Sequence, residues 1–242
     1  MAPKKHPKKG AKSSSTKWIV GAIAGVVVVA AAVAIGTSGD STGSSSPTTV
    51  AGSSGTVAPT DSLPATVPAA EYQPVQIIGD AVPQMPDAGE DPGIGAKVPV
   101  VKGFNFHGDP VSLDVPASGT PTMVVFLAHW CPHCNREVPR ILELNSQGGI
   151  PSGLRVVGVA TGSRNDQANW PPSEWMAEMG WKWEKLADTQ NGDAFAAYGG
   201  MSFPTMVLVG PDGTVVDRFS GEMEVADLGA RIKAFMEKVS KA

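Results

Sequence analysis

Cysteine is scarce in this sequence, which has only two, Cys131 and Cys134, among 242 residues. Two cysteines cannot build a network of disulfides, so a small disulfide-stapled scaffold is excluded. Only two residues separate the pair, and closing so short a loop removes little entropy from the unfolded chain. A stabilising role explains this pair poorly, and the spacing indicates a reactive role instead.

Acidic residues are missing before Asp40, and Lys and Arg are missing between Lys17 and Lys97. Residues 1–17 are therefore basic, while the rest of the chain is acidic enough to bring the formal net charge to -4. An acidic remainder lacks the basic face that nucleic acids require. We expect no nucleic-acid partner.

Charge of either sign is absent from residues 18–36, WIVGAIAGVVVVAAAVAIG. A helix of this length reaches across a hydrocarbon core of ~30 Å, so the segment is predicted to be a transmembrane helix. The preceding lysines place residues 1–17 in the cytoplasm and the rest outside. A cleaved signal peptide is the alternative, because Ala32-Val33-Ala34 has a small-x-small form. We expect a single-pass cell-membrane protein with an extracytoplasmic domain.

Sustained apolar periodicity is absent from residues 37–93, which are rich in Ser, Thr, Gly and Pro. This composition is typical of a flexible linker. A coil of about 55 residues would have an end-to-end distance of roughly 40 Å, enough to hold a domain clear of the membrane. A glycosylated or wall-spanning stalk is the alternative.

Residues 94–242 have the size of one domain and alternate between strand and helix patterns. Strands are predicted at Val98–Phe106, Val111–Leu113, Thr122–Ala128, Leu154–Ala160, Trp183–Ala187, Thr205–Val209 and Thr214–Phe219. Helices are predicted at Cys134–Leu144, from Pro171 to Gly180, at Asp193–Tyr198 and at Val225–Val239. The order, a βαβ half followed by a ββα half, predicts an α/β fold with a mixed sheet flanked by helices.

The cysteine pair lies where a buried strand gives way to a helix, in Trp130-Cys131-Pro132-His133-Cys134. Unsatisfied backbone N–H groups and the helix dipole would stabilise a Cys131 thiolate there, which makes the disulfide a better oxidant. Pro132 suits the first helical position, where no N–H is needed, and a protonated His133 would add a cation. We predict a redox-active disulfide in which a substrate thiolate attacks the Cys131 sulfur and a second substrate thiol releases the mixed disulfide, while Cys134 would resolve the reverse reaction. Pro132 and His133 are predicted to tune the pair, and no other cofactor is expected.

Residues that would indicate other chemistry are missing around the pair. His129 and His133 could supply two further zinc ligands, but there is no second CxxC, and the strand-to-helix position suits a redox motif better. Haem attachment needs a histidine where Asn135 stands, and a peroxidatic cysteine would have a threonine where Ala128 stands. We predict no metal site.

Further motifs accompany the pair: Phe203-Pro204-Thr205, the hairpin GFNFHGDPVSL and the turn GPDGTVV. With FLAHWCPHC they resemble the thioredoxin superfamily, and within it the membrane-anchored TlpA/ResA-type redoxins. The resemblance covers roughly residues 94–242 and implies a thioredoxin-like fold. It implies that Trp130, Phe203, Pro204 and Thr205 form the substrate-binding side, with Pro204 in cis.

Two departures from the thioredoxin pattern bear on the direction of the reaction. Val125 stands where thioredoxins bury an acidic residue, and Pro132-His133 is the dipeptide of DsbA-like oxidases. The leading prediction is therefore an enzyme that oxidises dithiols in exported cysteine-containing proteins, recycled by an unidentified membrane redox partner. The alternatives are a reductase for a dedicated partner such as apocytochrome c, as in TlpA/ResA-type redoxins, and a non-catalytic tethered binding module.

Overall fold

The computed structural model describes residues 63–241. The predicted basic tail, the transmembrane helix and the linker up to residue 62 lie outside the described residues. Between residues 63 and 241, no helix is both long enough and apolar enough to cross a membrane.

The described residues form strands and helices at most of the predicted positions. The strands are β1 (Gln76–Ile78), β2 (Val100–Phe104), β3 (Pro110–Leu113), β4 (Thr122–Leu127), β5 (Arg155–Ala160), β6 (Glu184–Ala187), β7 (Thr205–Val209) and β8 (Val215–Ser220). The helices are α1 (Val115–Ser118), α2 (Pro132–Ser146), α3 (Pro172–Glu178), α4 (Asp193–Ala197) and α5 (Val225–Val239). Of these elements, β1 and α1 were not predicted from the sequence.

The strands form one mixed sheet in the order β1-β2-β6-β5-β4-β7-β8, with β3 paired to β2. The central strands β4, β5 and β6 are parallel, whereas β7 and β8 are antiparallel to their neighbours. Every residue of β4 is buried, as its continuous apolar run requires. The predicted α/β fold with a thioredoxin-like mixed sheet is confirmed for the described residues.

Helix α2 follows β4 after a short turn, so the residues between the two elements lie at the carboxyl end of the central strand. It turns Val138, Ile141 and Leu144 towards the core, at the spacing of one helix face. Leu228 and Ile232 of α5 belong to the same buried cluster. This packing holds the start of α2 at the carboxyl end of β4.

The segment from residue 63 to residue 93, here called the N-terminal strap, is part of the folded domain. This corrects the predicted domain start at residue 94 and the assignment of this stretch to a flexible linker. Strand β1 pairs antiparallel with β2, and Val82 is buried, with its N–H donating to the carbonyl of Ala197 at 2.9 Å. Asp91 accepts a 2.6 Å hydrogen bond from Nε of Arg218, whose side chain is fully buried. Because these contacts are made by single, scattered residues, the strap sequence shows no regular spacing of apolar residues. Its composition therefore suggested a coil.

Candidate active site

Cys131 and Cys134 lie at the carboxyl end of β4, where α2 begins. Cys131 is the N-cap residue of α2, Pro132 is in its first turn, and both cysteines are free thiols. Cys131 is 6% exposed, whereas Cys134 has no exposed surface. This arrangement is the dithiol form of the pair, with Cys131 on the outside and Cys134 beneath it.

The Cys131 thiol faces the loop that contains Pro204. Its Sγ donates a hydrogen bond to the carbonyl oxygen of Phe203 at 3.6 Å and makes no capping bond to the amides of α2. A thiolate has no proton to donate, so ionisation would release the Phe203 carbonyl and turn the sulfur towards the helix amides. The released carbonyl would then be free for the N–H of an extended substrate.

Cys134 is held as a protonated thiol. Burial raises its pKa well above the ordinary value for cysteine, and negative charge at Cys131 and Glu137 raises it further. A 3.4 Å hydrogen bond from the Ala128 N–H to Sγ opposes this only in part. Cys134 can therefore attack a mixed disulfide only when a nearby group accepts its proton.

Glu137 is a buried acid that the sequence reading missed. It follows Cys134 by three residues on α2, so the two share a helix face, and its side chain is fully buried. Oε2 accepts the Met223 N–H at 2.8 Å, while Oε1 has no partner among the described residues. Burial raises the pKa of Glu137, opposed by the bond from Met223 and by Arg140. Val125 stands where thioredoxins bury an acidic residue, but Glu137 provides a different buried acid near Cys134. The available signal was a glutamate on the apolar face of a predicted helix.

The Pro204 loop lies opposite the cysteines. The Phe203–Pro204 peptide bond is cis, as the resemblance implied. Thr205 is wrong as a substrate contact, because its side chain is fully buried and its hydroxyl donates to the carbonyl of Ser202 at 2.6 Å. Its backbone also lies between β4 and β8, in register with Phe126 and Ser220.

Trp130 directly precedes Cys131 and contacts both the loop after β5 and the Pro204 loop. Its Nε1 donates to the carbonyl of Gly162 at 2.8 Å, and its ring meets the Phe203 ring edge-on at a centroid distance of 6.0 Å. Gly162 has a φ of 56°, and a Cβ there would lie 2.9 Å from the Phe203 ring. The two predicted aromatic contacts, Trp130 and Phe203, therefore form one wall beside the sulfur.

A loop from residue 162 to residue 171, here called the flanking loop, is fastened to the residues before Cys131. The buried His129 donates from Nδ1 to the carbonyl of Ala168 at 2.7 Å and accepts the Arg164 N–H at Nε2, at 3.1 Å. Accepting at Nε2 requires a neutral ring, and burial lowers the pKa of His129 accordingly. Both ring nitrogens are thus used within the protein, and neither is available to the zinc alternative considered from the sequence.

Asn135 connects this loop to α2 through every hydrogen-bonding position of its side chain. Nδ2 donates to the carbonyls of His129 and Cys131, at 3.1 and 2.9 Å. Oδ1 accepts from Trp175 Nε1 at 3.0 Å and from Asn169 Nδ2 at 3.3 Å. If the amide were reversed, its NH₂ group would face the N–H donors of Trp175 and Asn169, and its oxygen would face two carbonyls. The orientation of the amide is therefore fixed. Asn135 thus holds the backbone on both sides of Trp130, with Asn169 Nδ2 as a second donor to the carbonyl of His129 at 2.9 Å.

The opposite side of Cys131 carries charges. We call this group the charged rim, and its members are His133, Arg136 and Arg140 on α2 with Glu222 and Glu224 between β8 and α5. His133 is exposed, and its Nδ1 lies 3.2 Å from Oε1 of Glu222 and 3.0 Å from Nη2 of Arg136. The predicted tuning residue therefore belongs to a larger electrostatic group.

Comparison with known proteins gives relatives that exchange thiols and disulfides. The chain is 28% identical over 129 residues to the thiol:disulfide interchange protein CycY of Rhizobium leguminosarum bv. viciae, covering 53% of this chain and 65% of that one. The chain thus spans just under two thirds of the length of this relative.

Solved structures of similar proteins include two bacterial oxidoreductases. The thioredoxin domain of a thiol-disulfide oxidoreductase from Bacteroides vulgatus is 25% identical, with a TM-score of 0.47, over 59% of this chain and 96% of that one. A secreted disulfide oxidoreductase of Mycobacterium tuberculosis, described as homologous to DsbE of E. coli, is 25% identical, with a TM-score of 0.45, over 55% of this chain and 94% of that one.

The family comparison covers the region that holds the cysteine pair. The AhpC/TSA family matches residues 94–218, more than half of the chain. The predicted thioredoxin-like relationship is confirmed, and the predicted enzyme class agrees with the relatives named above. The chain belongs to the AhpC/TSA family.

Proposed function

We propose that this protein is an extracytoplasmic thiol–disulfide oxidoreductase that reduces a disulfide in a dedicated partner through Cys131 and Cys134. The observation that carries the proposal is the graded burial of the pair. Cys131 reaches the surface at the N-cap of α2, and Cys134 lies beneath it as a thiol of raised pKa beside the buried Glu137. An attacking sulfur and a protected resolving sulfur are what a two-step exchange requires.

In the first step, the Cys131 thiolate attacks one sulfur of the partner disulfide. The partner S–S bond breaks, a mixed disulfide forms, and the departing partner thiolate takes up a proton from solvent. In the second step, Cys134 gives up its proton and attacks Cys131 Sγ, forming the Cys131–Cys134 disulfide and releasing the second partner thiol. Two electrons have then passed from the pair to the partner.

Glu137 fits the second step, in which the proton of Cys134 needs an acceptor. Its Oε1 has no hydrogen-bond partner among the described residues, and its charge acts on the Cys134 thiol. A buried carboxylate is a stronger base than an exposed one, because burial favours its protonated form. Glu137 therefore supports conversion of the dithiol to the disulfide, the half-reaction in which a reductase acts on its partner.

The charged rim weighs against the oxidase prediction made from the sequence. One of the grounds for that prediction was a cation that a protonated His133 would add, yet the Glu222 carboxylate contacts both His133 and Arg136. A negative charge there offsets the stabilisation of a Cys131 thiolate, and with it the oxidising tendency of the disulfide. The position of Cys131 at a helix N-terminus still favours an oxidase, which is the second candidate.

The resemblance to TlpA/ResA-type redoxins supports one class of partner. The proposed substrate is a disulfide between the paired haem-binding cysteines of an apocytochrome c. The predicted anchor at residues 18–36 would keep the domain beside a membrane protein that supplies electrons. Such a donor is required, because each turnover leaves Cys131 and Cys134 oxidised.

The first test is the equilibrium potential of the pair in the full chain, measured in glutathione buffers with alkylation of the free thiols. A value near the ~-270 mV of thioredoxin is expected, whereas a value near the ~-120 mV of DsbA would make the protein an oxidase. A Cys131 that resists alkylation in the reduced protein would leave only the non-catalytic binding module.

Direction is then tested on a substrate. A disulfide-bonded peptide with two cysteines spaced as in a haem-binding site should be reduced by the dithiol protein. Cys134→Ser should accumulate the mixed disulfide, because the resolving thiol is missing, and Cys131→Ser should give neither product. Accumulation with Cys131→Ser instead would exchange the roles of the two cysteines.

A further inference from the structure

We propose that Glu222 tunes the redox equilibrium of the cysteine pair by neutralising the cations beside Cys131, so that its loss makes the disulfide a stronger oxidant. The inference deepens the proposed function and requires of it only that Cys131 and Cys134 form a reversible disulfide.

Glu222 contacts every basic side chain of the charged rim. Its carboxylate accepts from Arg136 at Nε (2.6 Å) and Nη2 (2.9 Å), a bidentate pair, and from Arg140 Nη1 at 3.3 Å. Its Oε1 also lies 3.2 Å from Nδ1 of His133. By contrast, Glu224 contacts Arg140 alone and has a 73% exposed side chain.

Two of the basic side chains that Glu222 contacts lie close to the cysteine pair in the chain. His133 lies between the two cysteines in the sequence, and Arg136 follows Cys131 by little more than one helical turn. Arg136 and Cys131 interact electrostatically, and the Arg136 guanidinium lies against the His133 ring. Removing the Glu222 charge leaves the positive charge of Arg136 uncompensated beside the sulfur that must become a thiolate to attack a disulfide.

The loop that carries Glu222 is fixed to the active site. The Gly221 N–H donates to the carbonyl of Pro204 at 2.9 Å, and the Met223 N–H donates to the buried Glu137 at 2.8 Å. Glu222 is therefore presented between the Pro204 loop and α2 by its two backbone neighbours. Hydrogen bonding by Arg136, and then by His133, lowers the pKa of Glu222 to about 2, so its carboxylate stays ionised at neutral pH.

The direction of the effect follows from linkage between thiolate stability and potential. In the reduced state the Cys131 sulfur can carry a negative charge, whereas in the disulfide it cannot. An uncompensated cation therefore stabilises only the reduced state, which raises the reduction potential. Solvent screens these partly exposed groups, so the change is modest.

The experiment measures the equilibrium constant between the full chain and glutathione for the wild type, Glu222→Gln and Glu224→Gln. Glu222→Gln should shift the equilibrium towards the reduced pair by about three- to fivefold, or about 15 to 20 mV for two electrons. Glu224→Gln is the matched control, since it removes the same charge two residues away, and should change the constant by less than about twofold.

A double-mutant cycle identifies the cation. Arg136→Gln alone should shift the equilibrium towards the disulfide, and the Glu222→Gln effect should largely vanish in the Arg136→Gln background. Circular dichroism and thermal unfolding of each variant establish that it is folded. A purely structural role of Glu222 would lower the melting temperature without shifting the glutathione equilibrium in the expected directions.

An unchanged constant in Glu222→Gln, an equal shift in Glu224→Gln, or a shift towards the disulfide would each overturn the assignment. These results are distinct from failure of the proposed function. A wild-type protein that forms the reversible disulfide but does not reduce the paired-cysteine peptide would contradict the function and leave the tuning by Glu222 standing.

Discussion

The two sides of Cys131 hold the residue by different physical means. On the flanking-loop side, His129, Asn135 and Trp130 make neutral, directional hydrogen bonds that are half-buried or buried. On the other side, the charged rim is exposed to solvent and surrounds Glu222. Neutral buried bonds fix positions and are insensitive to salt, whereas exposed charges change potentials without fixing the backbone. Geometry and redox tuning can therefore vary separately around one sulfur.

The largest effect is expected from Asn135→Asp on the flanking-loop side. The variant keeps the shape but replaces the two donors with a carboxylate oxygen, which faces the carbonyls of His129 and Cys131 and repels them. Each carbonyl keeps one other donor, the Asn169 side chain and the Asn135 backbone N–H respectively. We expect a loss of about 2 to 4 kcal/mol in the free energy of unfolding, measured in urea. The same substitution at the exposed Asn165, in the same loop, should cost less than about 0.5 kcal/mol. Equal losses would show that Asn135 does not connect the two elements.

Protonation of His129 tests the same side without a large structural change. Its folded-state pKa is lowered, so the unfolded chain binds the proton more readily, and stability is lost as pH falls below the unfolded value of ~6.5. We expect the melting temperature of the wild type to fall from pH 7.5 to pH 5 more steeply than that of His129→Asn. The charge of Glu71 opposes the lowering of the His129 pKa, so Glu71 is left unchanged in both proteins. Parallel curves would contradict a neutral His129.

Glu137 lies beneath both sides and should show the opposite pH dependence. Its pKa is raised in the folded state, so the folded protein binds the proton more readily and loses stability as pH rises through that value. Glu137→Gln should therefore be more stable than the wild type at pH 8, by about 1 kcal/mol, with the difference shrinking towards pH 4. Unfolding in urea at both pH values measures this. A constant difference would exclude titration of Glu137.

Salt should give the smallest effect and separate the two sides most directly. Raising ionic strength from about 0.02 to about 0.5 M shortens the Debye length to a few ångströms. The difference in glutathione equilibrium between the wild type and Glu222→Gln should shrink by about half. The unfolding difference between the wild type and Asn135→Asp should shrink much less, because most of it comes from lost neutral hydrogen bonds and only part from the added charge. A salt-independent Glu222→Gln shift would mean that contact geometry, and not charge, sets it.

The parts of this fold that the sequence could predict are those with a strong local signal. The apolar run of β4 and the positions of Cys131 and Pro132 after it placed the strand, the helix start and the pair together. The period of α5 gave its bounds, Val225–Val239, without error. In each case, neighbouring residues carried the whole signal.

The parts that were missed depend on contacts between distant residues. Strand β1 has only three residues, and its Ile77 and Ile78 are exposed, so it shows neither length nor alternation. The strap is held partly by Arg218, which lies more than a hundred positions from Asp91. Glu137 stood on the apolar face of its predicted helix, but its hydrogen-bond donor, the Met223 N–H, lies 86 positions away. The resemblance placed Thr205 on the substrate-binding side, but its backbone lies between β4 and β8 within the sheet.

If residues 18–36 form the predicted membrane anchor, the attachment of the strap would shorten the predicted linker between that anchor and the domain. With residues 63–93 fixed to the domain, the predicted flexible linker is about 26 residues rather than about 55, and its root-mean-square span falls from roughly 40 Å to roughly 28 Å. A shorter tether confines Cys131 to a smaller volume and raises its effective concentration for any membrane-bound electron donor, because that concentration falls about as the three-halves power of linker length. Folding part of the linker onto the domain would thus favour encounters at the membrane over encounters with distant partners.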